Sequence, residues 1–241
     1  MTPQIRVLLA PSDNIEDITT MESVKISDII RIASNLSLLV PLAIYLSRIK
    51  YASRQVHIIG VLIIVSGLCD LVGMFLFNKR QSTVVLFNTY YALLFFLLTW
   101  FYYEILFVNT RRIMIWIGLA VYIQSFILIT VFVQNFLQYQ TLMWLITAVI
   151  LITYSIAYFF YSLSTITTSG YFGYSLIWIN IGVMIYFCLN LFLFVMGNYV
   201  LTKLDAETSA LIWSSHNINN IIKNLLFAVG IYFYKRKIAD F

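Results

Sequence analysis

A histidine, a lysine and several asparagines lie in the last apolar stretch of the chain. The stretch SSHNINNIIKNLLFAVG covers residues 214–230. At 100° per residue, His216, Asn219, Asn220 and Lys223 fall within about 100° of one another on one helix face. Imidazole and amine groups can carry protons or hold an anion, and amides both donate and accept hydrogen bonds. This face therefore predicts the lining of an intramembrane cavity, open to the outside, for a small-molecule ligand.

Helix packing is the alternative interpretation of the same face. Asparagines in membrane helices often bond to neighbouring helices, at around 0.6 kcal/mol each. Lys223 fits that role less well, because a charge within hydrocarbon is costly. At 1.5 Å per residue, Lys223 and Asp70 both lie roughly 18 Å above the inner ends of their helices. We therefore predict that Lys223 and Asp70 form an intramembrane charge pair.

The elements that would position these residues are apolar runs. Apolar residues make up 61% of the 241 residues and charged residues only 10%, against about 25% charged in soluble domains. Runs of roughly 20 mostly apolar residues are long enough to span a bilayer. They occur at 29–47, 58–77, 83–107, 112–134, 141–161, 174–198 and 210–234. We predict an all-α, polytopic membrane protein with a seven-transmembrane-helix bundle, whose first span is the weakest because polar residues and Pro41 interrupt it.

The chain divides into three segments around this bundle. Residues 1–28 form a polar N-terminal segment that holds half of the ten carboxylates, 29–234 form the seven-helix domain, and 235–241 form a short basic tail. With the N-terminus outside, eight basic residues flank the spans on the inner side and six on the outer side. Three of those six belong to the N-terminal part of the chain. Because short cytoplasmic loops are enriched in lysine and arginine, we predict a multi-pass cell-membrane protein with its N-terminus outside and its C-terminus cytoplasmic.

Motifs for familiar chemistry are missing from the sequence. It contains no P-loop, HExxH, paired CxxC, dinucleotide fingerprint or GxSxG, so we expect no cofactor, no metal and no catalytic residue. Cys69 and Cys188 lie within predicted spans, where a thiol behaves as a small apolar group. The net charge of +5 fits loops that face anionic lipids and does not predict nucleic-acid binding. A retinal Schiff base on Lys223 is not expected, since microbial rhodopsins have a carboxylate where this chain has Asn219.

A family resemblance adds residues to this set. LIWINIGVMIYFCLNLFLFVMGNYVL followed by HNINNIIKNLLFAVGIY resembles the C-terminal half of an uncharacterised family of small seven-helix membrane proteins of the Bacteroidota. The resemblance is clearest over residues 174–234 and implies the same fold, but no reaction, ligand or partner. Family members often carry a histidine and a glutamate in the outer third helix, where this chain has Asn88 and Leu93 or Leu94. The residues to which the resemblance directs attention are Trp178, Asn180, Tyr186, Asn198, His216, Asn217, Asn220, Lys223 and Asn224. On this ground Asn180 and Tyr186 join the predicted cavity lining.

Three classes of function remain open. A membrane sensor or signalling component would use the polar face as its sensing site and the basic inner face to bind a cytoplasmic or membrane partner protein. A transporter or channel component would use the same face as a permeation path. An intramembrane lipid-modifying enzyme would need an acid–base pair, for which His216 with Lys223 or Asp70 is the candidate. The absence of enzymatic motifs favours the sensor, with the lipid bilayer as its surroundings.

Overall fold

A computed structural model describes residues 26–106, 109–169 and 172–234, and all regular structure within those ranges is helical. The helices in chain order are α1 (Ile26–Tyr51), α2 (Arg54–Asn78), α3 (Val84–Ile105), α4 (Asn109–Phe132), α5 (Thr141–Ser169), α6 (Phe172–Lys203) and α7 (Ala206–Phe233). The predicted all-α class is confirmed, and each predicted apolar run corresponds to one helix. Residues 26–28 of the predicted N-terminal segment already belong to α1. Residues 1–25 and the predicted tail 235–241 lie outside the described residues.

Six helices, α1 to α6, are long and apolar enough to cross a membrane. The protein is therefore suited to a lipid bilayer as a multi-pass membrane protein. α7 has 28 residues but is not among these six, because the polar residues around His216 and Lys223 lower its mean hydropathy. The seventh span and the orientation of the termini stay predictions.

α1 is interrupted where the sequence predicts weakness. Residue 38 adopts a turn between the two helical halves of α1, and the second half is Leu39–Arg48 followed by a single 3-10 turn. Pro41 causes this because it has no N–H to donate to the carbonyl of residue 37, and its ring crowds that carbonyl. In the same turn of α1, the hydroxyl of Ser37 donates to the carbonyl of Ser34 at 2.6 Å.

The helices pack as a ring of six with one helix outside it. α7 packs on α6 and α1, α6 on α5, α5 on α3, α3 on α2, and α2 on α1. α4 packs on α3 and α5 and is mostly exposed on its remaining faces. The interior of the ring is consequently lined by α1, α2, α3, α5, α6 and α7.

Short connections place alternate helix ends together. α1 ends and α2 begins at one end of the bundle, where α3 also ends and α4 begins. Arg48, Arg54 and Arg112 lie at this end, which we call the basic end. The guanidinium of Arg48 donates to the carbonyl of Tyr232, so α7 also ends there. At the other end, Asp205 caps α7 by accepting from the backbone N–H of Thr208 at 2.8 Å.

Candidate functional site

Asn190 of α6 meets the polar face of α7. Its side chain is fully buried, and its Oδ1 accepts from Nδ2 of Asn219 at 3.2 Å and lies 3.2 Å from Nδ1 of His216. Its own Nδ2 donates to the carbonyl of Tyr186, one turn earlier in α6, at 2.7 Å. Because that bond fixes the amide plane, the oxygen is held toward both partners on α7. Helical periodicity puts His216 and Asn219 on one face of α7, and the structure adds the acceptor between them.

Lys223 lies one turn further along α7 and is buried, with only 6% of its surface exposed. Its Nζ lies 4.6 Å from the ring centroid of Tyr186 and 5.9 Å from that of Phe227. An ammonium above an aromatic face is attracted to the electron-rich ring, most strongly when water is excluded. The predicted site residues Tyr186 and Lys223 are therefore in direct contact.

Asp70 of α2 is half-buried and attracts the charge of Lys223. The ion pairs among the described residues lie at helix ends, with N–O distances of 2.8 and 3.2 Å, and do not include these two. Asp70 and Lys223 thus lie within electrostatic range of each other but are not in contact. Their energetic coupling stays a prediction.

Tyrosines of α3 extend the site from α6 to α2. The hydroxyl of Tyr186 lies 3.4 Å from that of Tyr91, and the neighbouring Tyr90 hydroxyl lies 2.8 Å from Oγ of Ser66 on α2. Ser66 and Asp70 are four residues apart and so share a face of α2. We call this group the polar centre, and its members are Ser66, Asp70, Tyr90, Tyr91, Tyr186, Asn190, His216, Asn219 and Lys223.

Two asparagines of α7 point away from the polar centre toward α1. Nδ2 of Asn220 donates to Oγ of Ser34 at 3.0 Å, and Nδ2 of Asn224 donates to Oγ of Ser37 at 2.9 Å. Their partners are on the interrupted helix, so these bonds hold α1 against α7. Asn220 was predicted to line the cavity together with Lys223, and in the structure it makes a helix-packing contact.

Asn180 belongs to a separate buried cluster. Its Oδ1 accepts from the hydroxyl of Tyr102 at 2.8 Å, and its Nδ2 donates to the carbonyl of Ser155 at 3.1 Å. The three residues are fully buried and join α3, α5 and α6. Asn180 lies roughly 15 Å along α6 from Asn190, so the structure does not bring it to the polar centre.

The surroundings of His216 are aromatic. Its ring centroid lies 5.6 Å from that of Tyr186 and 5.4 Å from that of Trp213, both edge-on. Nε1 of Trp213 is buried without a hydrogen-bond partner.

Among the described residues no group of three metal-ligating side chains occurs. Lys223 and His216 are the groups of the polar centre whose side chains can bind or release a proton near neutrality or above it, and the cavity predicted there stays a prediction.

The sequence did not predict four members of the polar centre, which are Ser66, Tyr90, Tyr91 and Asn190. Asn190 carried a signal, since it is an amide within the apolar run FCLNLFLF, four residues after Tyr186. Tyr90 and Tyr91 carried none, because tyrosine is common at the ends of membrane helices. Asn88 is explained differently: it donates to the carbonyls of Phe136 and Gln138 at 2.9 and 2.8 Å, which holds the α4–α5 connection.

No protein-family model, curated protein or solved structure matches this chain. The resemblance to the Bacteroidota family stays a prediction.

Proposed function

We propose that this chain is an integral membrane sensor whose sensing site is the polar centre. The observation that carries the proposal is the placement of Lys223: it is buried against aromatic rings and attracted by Asp70 on another helix, without contact between them. Such a pair has two arrangements, apart or in contact. A proton or small anion that favours one arrangement shifts the population between them.

The position of α7 supports a seven-span bundle. Leu211, Ile218 and Leu225 are 44%, 44% and 47% exposed and follow one another every seven residues, with Tyr232 next in the series. This spacing puts an apolar stripe along the side of α7 that faces away from α6 and α1. A helix with lipid on that side and the polar centre on the other crosses the bilayer with its polar residues sheltered.

The basic end is the proposed output. Arg48 joins α1 to the last turn of α7, and Arg54 of α2 lies at the same end. A shift of α7 relative to α2 therefore changes the surface that these arginines present. A separate protein that binds there would receive the signal.

The test measures the distance between the 3-10 turn that ends α1, next to the start of α2, and the end of α7 at the basic end. Spin labels at Tyr51→Cys and Phe233→Cys, both exposed, are compared across pH in phospholipid nanodiscs, with Cys69 and Cys188 replaced by alanine. The titratable groups around Lys223 are Tyr186, whose ring its Nζ faces, and Asp70 and His216, whose charges act on it. Tyr91 lies beyond Tyr186, and Tyr90 is next to Tyr91. We expect two distance populations whose ratio depends on pH, and a single population in Lys223→Met.

The matched control is Lys203→Met, which removes an exposed lysine from the end of α6 and should leave the pH response intact. A response that persists unchanged in Lys223→Met would contradict the sensor. Proton or solute flux in protein-containing vesicles that Lys223→Met abolishes would instead support the transporter.

A further inference from the structure

A groove of about 380 Å³ lies between α3 and α4, away from the polar centre. Phe96, Trp100 and Tyr103 of α3 form one wall, and Trp116 and Leu119 of α4 form the other. The volume is within the range of sites that bind small molecules, about 300–1,000 Å³. Trp100 and Trp116 are 45% and 60% exposed on the outside of the bundle, so the groove opens toward the acyl chains of a bilayer.

Two buried polar atoms at the groove have no partner. Oγ1 of Thr99, a lining residue that is 93% buried, has no hydrogen bond, and neither has Nε of Arg112. The guanidinium of Arg112 lies 4.8 Å from the ring centroid of Tyr103, which places it at the basic end of the groove. Buried donors without partners are costly and point to a ligand that accepts their hydrogen bonds.

Arg112 differs from the other described arginines at this end. Arg54 is ion-paired with Glu104 at 3.2 Å, and Arg48 donates to the carbonyl of Tyr232. Within the described part of the chain, Arg112 has no carboxylate within 4.0 Å. Its charge is therefore available to an anion from outside the protein.

We propose that this groove binds one anionic glycerophospholipid. The phosphate accepts from Arg112, whose planar fork matches a phosphate group. One acyl chain lies along the aromatic walls for roughly 10 Å, the rise from Arg112 to Leu119 along α4. Thr99 is roughly 6 Å deeper than Tyr103 on α3, at a depth where an ester carbonyl of the lipid can accept from its hydroxyl. The site is independent of the polar centre and of the proposed sensing.

The experiment compares lipid retention in matched variants. Protein reconstituted with equal amounts of phosphatidylglycerol and phosphatidylcholine, with identical acyl chains, is extracted and analysed by native mass spectrometry. Arg112→Gln should lower the enrichment of phosphatidylglycerol about fivefold, the effect of one basic residue at a lipid surface. Its control is Arg48→Gln, which removes an arginine that also lies over a tyrosine ring, 4.7 Å from the centroid.

A second pair tests the groove itself. Leu119→Trp fills it and should remove both lipids, whereas Leu128→Trp, at a position of α4 that is 48% exposed, should leave retention unchanged. Two results would overturn the proposal: an equal loss of phosphatidylglycerol enrichment in Arg112→Gln and Arg48→Gln, or full retention of both lipids in Leu119→Trp.

A measurement on the unaltered protein decides the case if a variant fails to fold. A phosphatidylglycerol with a photoreactive acyl chain should cross-link to residues 96–103 and 112–119. Cross-links spread evenly over the outer helices would mean bulk lipid contact and would overturn the site.

Discussion

Asn190 and Lys223 illustrate how single residues set up the polar centre. The side-chain oxygen of Asn190 contacts two side chains of α7, and the ammonium of Lys223 lies over a tyrosine ring. The amide network is satisfied by direct hydrogen bonds. Among the described residues, the ammonium of Lys223 has only aromatic rings as close partners. A ring attracts it less strongly than a carboxylate in contact would. The loss of a proton, the binding of an anion or the approach of Asp70 would therefore change the interactions of Lys223 more than those of the hydrogen-bonded amides.

A double-mutant cycle measures how far Asp70 already acts on Lys223. Lys223→Met and Asp70→Asn should each lower the free energy of unfolding. The loss in the double variant should be smaller than the sum of the two single losses, by at least about 0.5 kcal/mol. The reason is that each single variant leaves the other charge without its attraction. Unfolding of the protein in mild detergent provides the readout. Glu104→Gln combined with Lys223→Met is the control and should be additive, since Glu104 pairs with Arg54. Additivity in the Asp70 cycle would show that the predicted pair does not exist.

Among the helices, α7 has two different polar sides. Asn219 and Asn220 are adjacent in sequence, yet Asn219 bonds to α6 and Asn220 bonds to α1. A rotation of 100° between successive residues produces this division. α7 therefore bonds to two different neighbouring helices through its polar residues, and the cavity lining proposed for His216 and Asn219 stays a prediction.

The contact between α6 and α7 depends on Gly230. A Cβ at this position would lie 2.9 Å from the backbone carbonyl of Ser175, and the hydroxyl of Ser175 donates to the carbonyl of Gly230 at 2.6 Å. Gly230→Ala should therefore destabilise the protein by about 1–3 kcal/mol, the usual range for overpacking. Gly73→Ala is the control, because its Cβ would meet its nearest neighbour, Leu86, at 3.6 Å. Thermal unfolding should separate the two variants, and similar midpoints would contradict the close approach.

The cap of α7 predicts a pH dependence. The hydrogen bonds from Thr208 hold the pKa of Asp205 below its usual value of 3.8. Folding therefore favours the carboxylate. The resulting stabilisation is complete above the unfolded-state pKa and is lost as pH falls through the lower folded-state pKa.

Asp205→Asn should remove this acid-range dependence and keep the cap, since asparagine caps as well as aspartate, whereas Asp205→Ala should weaken the cap at every pH. The measurement is the unfolding midpoint as a function of pH. The expected effect is small because the group is exposed. If the unfolding midpoints of Asp205→Asn and of the unaltered chain fall identically at acid pH, the predicted contribution of the Asp205 carboxylate is refuted.

At the scale of the whole molecule, the predicted topology requires α7 to cross the bilayer. Lys203→Cys at the end of α6 and Phe233→Cys at the end of α7, in a background without Cys69 and Cys188, should be labelled from opposite sides by a membrane-impermeant thiol reagent. The exposed apolar stripe along one side of α7 is the physical reason for this expectation. Gln81→Cys, between α2 and α3, should be labelled from the same side as Lys203→Cys. Labelling of Lys203→Cys and Phe233→Cys from one side would reduce the spans to six.

The positions of the helices could be predicted from the sequence because hydrocarbon imposes a local rule. Every backbone polar group has to be bonded within its own helix, and about 20 apolar residues are needed to cross the bilayer. Each predicted run therefore coincides with a helix to within a few residues at most ends. The interruption near Pro41 follows from a covalent property of proline and was visible in the same way.

Only the tertiary structure decided which polar residues meet. Helical periodicity places His216, Asn219, Asn220 and Lys223 on one face of α7, but the packing of α1 and α6 assigns Asn220 to one neighbour and Asn219 to the other. Asn190 and Ser66 join the centre through contacts with the next helix along the chain, Tyr91 joins it through a contact with α6, and Asn180 leaves it for the cluster around Tyr102. Spacing along a helix determines the face on which a residue lies. The helix that this face meets depends on how the side chains of all seven helices pack together, which periodicity within one helix does not specify.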